Sequence, residues 1–344
     1  MRLFGIFLFV GITIKSGICQ ELKEVYSYHE NIYTPSAFYV LGEDTILTVE
    51  LGNRDAVLSL HDIKNKQVIA TRRGGRGPGE LSQNGLKYIS KMGKDSIWVW
   101  DEGQQKGMIF DDKLNYLTDV VAKDHGIGTA LIVNDTTVIA KKAFDGDNVV
   151  ALYPLEGNRI GGKALFSINS GDFKSLLPIT ENPLLNQGPM FADRDAAYMG
   201  FYFGSTVLAL SAEGKVDTIS TPYNLPFPIV DYDKGYMAPD HGKSPEATLD
   251  ISTDDDHIYI LFSGKKFDVG PFRQLVNGIT GKLAEEIEKS DNTREVLVID
   301  KKSKKYIGSL DLPVMSKRIF VHGNSLYTLS YGDKRYSIIK YKMR

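Results

Sequence analysis

A chain of 344 residues with 41 basic and 43 acidic side chains carries a net charge of −2. No basic stretch is long enough to neutralise several phosphates, which excludes a nucleic-acid binder by simple charge neutralisation. The single cysteine, Cys19, excludes a disulfide framework and a cysteine nucleophile in the body of the protein.

The N-terminus has the layout of a secretory signal peptide. Arg2 supplies a short basic region, Leu3 to Ile14 an apolar run, and Ser16-Gly17-Ile18-Cys19 the small residues before Gln20. The run is too short for a membrane span, and no later run approaches the ~20 apolar residues that one needs. Lipid attachment at Cys19 is the lesser alternative, because Ser16 holds the position where a lipoprotein has an aliphatic residue. Export to the periplasm or the cell surface is therefore expected, with residues 1–19 removed and 20–344 forming one domain. Without Arg2 and Lys15 the mature chain has 39 basic residues against 43 acidic ones, a net charge of −4.

The decisive feature of the body is a repeat. A turn ending in Asp or Asn is followed by a small or polar residue and an apolar run. It reads Asp44-Thr45-Ile46-Leu47, Asp95-Ser96-Ile97-Trp98, Asp135-Thr136-Thr137-Val138, Asp195-Ala196-Ala197-Tyr198, Asp256-His257-Ile258-Tyr259 and Asn324-Ser325-Leu326-Tyr327. The spacings run from 40 to 68 residues, and four short strands with their turns need ~40–50. Most copies lead into a hairpin pattern, such as Val207-Leu208-Ala209-Leu210, Glu213-Gly214-Lys215 and Val216-Asp217-Thr218-Ile219. The fold expected is all-β, a six-bladed β-propeller in which the repeat strand is the innermost of each blade. One insertion breaks the β pattern. Leu283 and Ile287, with Glu285 and Lys289, have i, i+4 spacing and predict a short helix on blade five. The last copy ends at Tyr336–Tyr341, one strand short. Glu21–Tyr26 is left over at the other end of the chain and is expected to supply that strand, closing the ring.

After the first unit comes Arg73-Gly74-Gly75-Arg76-Gly77-Pro78-Gly79-Glu80-Leu81. This run resembles the G-x-G-P-G-E loop of the TolB-like six-bladed propellers, a group of exported bacterial proteins. The resemblance implies a fold and an export route. It implies no reaction, since it brings no catalytic residues to carry over.

Candidate ligand-binding residues come from the connectors that a propeller gathers on one face. The backbone amides of the glycine loop, beside Arg73, Arg76 and Glu80, offer an anion cradle, although Pro78 and the glycines equally suit a tight connector. Asp240, His241 and Lys243 form the most polar connector, in which His241 is a candidate base beside Asp240. Arg318 completes the set. The six histidines show no metal-ligand spacing, and Asp254-Asp255-Asp256 lacks the alternating ligands of an EF-hand. No cofactor is expected, and calcium in the channel has no motif to support it. No G-x-S-x-G elbow or sialidase box is present. The leading reading is a monomeric binding module that takes a protein or glycan ligand at the channel mouth. Alternatives are a metal-assisted lactonase, hydrolase or lyase in the channel, and a structural scaffold subunit.

Overall fold

The strand second from the axis in each sheet is a near-continuous apolar run because sheets pack against both of its faces. Thr45–Glu50, Ser96–Asp101, Ala196–Phe201 and His257–Phe262 all have five buried residues after a half-buried first one. An outermost strand such as Gln67–Arg72 alternates between exposed and half-buried positions, since only one face meets protein. A computed structural model describes residues 21–344 apart from 84–85, 123–125, 143–147, 170–178, 180–184, 232–237, 241–242, 267–292 and 333–334.

Every element bounded within these residues is a strand. The first blade holds β2 (Pro35–Gly42), β3 (Thr45–Glu50), β4 (Leu58–Asp62) and β5 (Gln67–Arg72), following β1 (Leu22–Tyr28). Next come β6 (Lys87–Met92), β7 (Ser96–Asp101), β8 (Lys106–Asp111) and β9 (Tyr116–Ala122). After them run β10 (Ile127–Asn134), β11 (Thr137–Lys142), β12 (Asn148–Glu156), β13 (Arg159–Ile160) and β14 (Phe166–Asn169). A second blade contains β15 (Met190–Ala192), β16 (Ala196–Phe201), β17 (Gly204–Ser211) and β18 (Val216–Ser220). The short pair β19 (Val230–Asp231) and β20 (Ala238–Pro239) precedes a third, β21 (Thr248–Thr253), β22 (His257–Phe262), β23 (Thr293–Asp300) and β24 (Tyr306–Ser316). The last joins β25 (Arg318–His322), β26 (Ser325–Gly332) and β27 (Arg335–Met343) to β1.

The expectation of six separate blades is corrected. The described residues form a propeller-like all-β fold with four separate four-stranded blades, and β6 to β14 merge into one nine-stranded sheet. The join is made by β13, which pairs in parallel with Val121 and Ala122 on the outer edge of β9. The Val121 amide also donates to the Asn158 carbonyl at 3.0 Å. An outer edge that would otherwise expose unpaired backbone is thereby covered. This sheet curls until β6 and β10 lie against each other, and the Ser90 hydroxyl accepts from the Ile132 amide at 3.0 Å. The helix expected over 271–289 lies outside the described residues, as does the signal region. The repeat strand is also second from the axis rather than innermost, because the strand that precedes each turn lines the channel.

The acidic turn of the repeat is a hydrogen-bonding device. In β21–β22, Asp254 Oδ1 accepts the Asp256 and His257 amides and Oδ2 accepts the Tyr259 hydroxyl. Asp193 does the same for Asp195 and Ala196, and Asn134 for Thr136. These side chains satisfy turn amides that the ladder leaves open, which accounts for the Asp-rich triplet without a metal.

Closure is antiparallel, with Leu22 opposite Met343 and Tyr28 opposite Ile338. The closing strand is then tied to its neighbours by side chains. Tyr28 hydrogen-bonds His61 Nδ1 at 2.9 Å, and His61 Nε2 meets the Thr48 hydroxyl at 2.9 Å, all three groups being buried. On the other side, the Tyr327 hydroxyl and Lys340 Nζ both donate to the Glu43 carbonyl, at 2.7 and 2.8 Å. Deleting residues 21–28 is expected to lower the melting temperature sharply by opening this edge, and an unchanged melt in calorimetry would refute the closure.

Burial pushes the His61 imidazole down to about 4, against ~6.5 in an unfolded chain. Between those values the unfolded chain binds a proton that the folded one refuses. The contribution of His61 to stability therefore falls as pH drops from about 6.5 to about 4, by on the order of 3 kcal/mol. In denaturant unfolding at pH 7, 5 and 4, the stability of the parent relative to His61→Gln should fall by this amount; a difference that stays constant with pH would assign the acid sensitivity to other groups.

Candidate functional site

Strands that crowd an axis alternate between side chains packed into their own sheet interface and side chains left facing the axis. Ser36, Ala37, Tyr88, Ile89, Asp250 and Arg318 are half-buried positions of this second kind, from β2, β6, β21 and β25. They line a narrow neck of about 120 Å³ on the axis. At one end the neck widens into a mouth of about 430 Å³, bounded by Thr34, Leu51, Leu86, Phe203, Glu246, Lys317 and Tyr336 among others. Ser36, Leu86, Tyr202 and Arg318 belong to both spaces, so the mouth leads directly into the neck.

Beyond the neck the axis is blocked by aromatic rings. Phe320 packs on Tyr39 at 4.6 Å, on Phe191 at 5.7 Å and on Phe38 at 6.3 Å between ring centroids. A separate polar hollow of about 370 Å³, with Lys91, Asp135, Asp193 and His322 on its walls, lies on the far side of these rings. The mouth is thus a blind pocket, inside the range of roughly 300–1,000 Å³ typical of small-ligand sites.

The pocket is built on held backbone. The buried Glu50 carboxylate accepts the Tyr33 and Thr34 amides at 3.2 and 2.7 Å, fixing the connector that enters β2. Burial raises its pKa, and those amides draw it back. Arg318 Nη1 donates to the Leu249 and Lys317 carbonyls at 2.9 and 3.2 Å, so the guanidinium is set in place at the junction of mouth and neck. Asp250 Oδ2 accepts the Ile319 amide at 2.8 Å. This carboxyl lies deep in the molecule yet keeps part of its surface on the neck. Desolvation pushes it up to about 6, with Arg318 and the backbone amides pulling the other way. Tyr88, also on the neck, is pushed up to about 12 by burial. Lys317 Nζ sits 5.9 Å from the centre of the Tyr336 ring, a cation–π distance.

Of the candidate ligand-binding residues read from the sequence, only Arg318 among the described ones lines the mouth and neck. Arg73 and Glu80 bind each other, with Arg73 Nε and Nη2 at 2.7 and 2.6 Å from Glu80 Oε1. Glu80 Oε2 accepts the Gly77 amide at 2.9 Å, and a Cβ on Gly75 would lie 2.0 Å from that same oxygen. The loop is closed on its own carboxylate, which leaves the anion cradle filled from within; Arg76 is exposed beside it. Its effect on the channel is indirect. Gln104 Nε2 donates to the Glu80 carbonyl and to Asp101, and Asp101 pairs with Lys87 of the neck at 3.3 Å inside the protein. Asp240 pairs with Lys243 at 2.7 Å across a turn, and His241 lies outside the described residues. Asp250, Tyr88 and Glu246 were not singled out. One signal was present: an acidic residue inside the apolar strand Thr248-Leu249-Asp250-Ile251 is expensive unless it has a task.

Among the described residues, no three His, Cys, Asp or Glu side chains gather in a way that would hold a metal ion. No helix among them is long and apolar enough to cross a membrane.

No protein-family model matches the chain, and no curated protein matches it. Solved structures do. A member of the duf4221 family from Bacteroides vulgatus is 12% identical, with 94% of this chain and 98% of that one covered at a TM-score of 0.59. A protein of Bacteroides fragilis named "putative exported protein" is 10% identical, with 96% of this chain and 97% of that one covered and a TM-score of 0.57. The WD40 repeats of RRP9 are 9% identical, with 94% and 100% covered and a TM-score of 0.52. At such identities the likeness shows a shared propeller-like fold alone. Membership of the TolB-like group, suggested by the glycine loop, receives no support from these matches.

The Asp250 carboxyl has a stability cost with a definite sign. Its ordinary pKa is 3.8 and its folded one about 6, so the unfolded chain ionises first as pH rises. Stability is lost between about pH 4 and pH 6, by on the order of 3 kcal/mol before screening by water in the neck reduces it. Asp250→Asn is therefore expected to melt higher than the parent at pH 7.5 and to lose that advantage at pH 4. A variant that melts lower at both pH values would show the carboxylate to be structural.

Proposed function

We propose that this chain is an exported binding module that receives a protein or glycan ligand in the blind mouth of its propeller-like channel, without catalysis. The observation that carries this reading is the pocket itself: a ligand-sized mouth, bounded by fixed connectors, that ends in a neck and an aromatic stop. A scaffold has no need of an open cavity on its axis, and a dry, filled one would be more stable. The rim fits a binding role, with Leu51 and Leu86 both exposed at the opening. The signal-like residues 1–19 and the likeness to an exported Bacteroides fragilis protein support passage out of the cytoplasm. The mature chain is taken to act as a monomer, with no lipid at Cys19.

Thermal melting with panels of glycans and short peptides tests this. A ligand at a hundred times its dissociation constant adds about 2.7 kcal/mol to stability. Leu86 is 47% exposed, so Leu86→Arg is expected to fold normally while crowding the opening. The shift given by a binding ligand should vanish in that variant. A shift of full size in Leu86→Arg would place the ligand elsewhere and sink the mouth as the site.

A further inference from the structure

We infer that the mouth recognises the terminal residue of a neutral glycan end-on, its ring among Tyr202, Phe203 and Tyr336 and its hydroxyls in the neck against Asp250 and Arg318. This rests on the mouth being the binding site and names the ligand class that its chemistry fits.

Charge balance comes first. Among the charged residues around the mouth and neck, Lys87 is paired with Asp101 at 3.3 Å inside the protein, and Lys317 and Arg318 stand against Glu246 and Asp250. An anionic ligand meets two carboxylates as well as two cations, and a cationic ligand has the same difficulty in reverse. A carboxylate only accepts hydrogen bonds and a guanidinium only donates them. A hydroxyl group does both, so neighbouring hydroxyls of one sugar satisfy Asp250 and Arg318 together. The Tyr88 phenol, on the same neck, is likewise donor and acceptor.

Size and shape narrow the class. A neck of about 120 Å³ has room for roughly four waters at ~30 Å³ each. That suits one or two hydroxyls or a hydroxymethyl group. The wider mouth, at about 430 Å³, holds a sugar ring or two with apolar faces turned to Phe203, Leu249, Leu329 and Tyr336. The aromatic stop formed by Phe320, Tyr39 and Phe191 prevents a polymer from threading through, so only a chain end reaches the neck. Asp250, finally, is an acidic group that the fold retains against the cost of its burial, as expected of a side chain kept for a ligand.

Titration calorimetry of the chain provides the test. The probes are methyl glycosides of galactose, mannose and N-acetylglucosamine with their trisaccharides, glucuronic and sialic acids, and tetrapeptides. At least one neutral glycoside is expected to bind, with the sugar acids at least tenfold weaker. Asp250→Asn should weaken that binding at least tenfold while melting no lower than the parent, which separates lost recognition from lost folding. Tyr202→Phe should weaken it several-fold. Capping the terminal residue of the bound trisaccharide should abolish binding. Failure of every neutral sugar to bind, or equal binding by Asp250→Asn, overturns the inference. Tetrapeptides that bind in place of sugars and are lost in Leu86→Arg overturn the sugar class while leaving the mouth as the site. Binding of either class that is indifferent to Leu86→Arg refutes the mouth itself.

Discussion

Sheets arranged around an axis have two loose ends where the chain begins and where it stops, and each end exposes a row of unpaired backbone groups. Here both are removed by one pairing, β1 with β27. The interfaces between sheets depend on it. Tyr28 and His61 meet only because β1 lies against the last sheet, and Lys340 and Tyr327 reach the Glu43 carbonyl only because the last sheet lies against the first. Buried clusters between neighbouring sheets, such as Tyr198, Ile219, Ile260 and Leu297, require the same arrangement. Without the pairing the sheets have no reason to stay in a ring, and the channel has no wall.

The axis shows two opposite solutions to the same packing problem. Toward one face, Tyr39, Phe191 and Phe320 fill the space with rings, the arrangement that apolar burial favours. Toward the other, Asp250, Arg318, Tyr88 and Tyr202 leave a water-sized neck and a wider mouth. Burying an acidic group there is a cost that a filled core would avoid. Function-bearing sites commonly retain such costs because a ligand, rather than the fold, offsets them.

The glycine loop belongs to the first kind of solution. Its conspicuous arginine is occupied by Glu80, and the absence of side chains at Gly75 and Gly77 lets that carboxylate fold back on the loop. Gln104 and Asp101 carry its position inward to Lys87 on the neck. A motif that looks like an anion cradle in one dimension is, in three, a brace that sets one wall of the channel.

Strand alternation, turn chemistry and the period of the repeat are local properties, and they made the all-β character, the propeller-like arrangement and the strand left over for closure legible from the residues alone. Blade separation was not legible. It turned on Arg159 and Ile160, a two-residue strand too short for a sequence signal, which found the free edge of β9 and fused two units into one sheet. The position of the repeat strand was misjudged for a related reason: an apolar run shows that both faces are covered but not whether the covering is a neighbouring sheet or the axis. The site was the least legible part. Arg318 was visible as a connector charge and Asp250 only as an acid within an apolar strand, while Tyr88 comes from a different sheet with nothing in the sequence to mark it. Only closure of the ring sets them around one cavity, because proximity across an axis is a property of the whole fold and of no single segment.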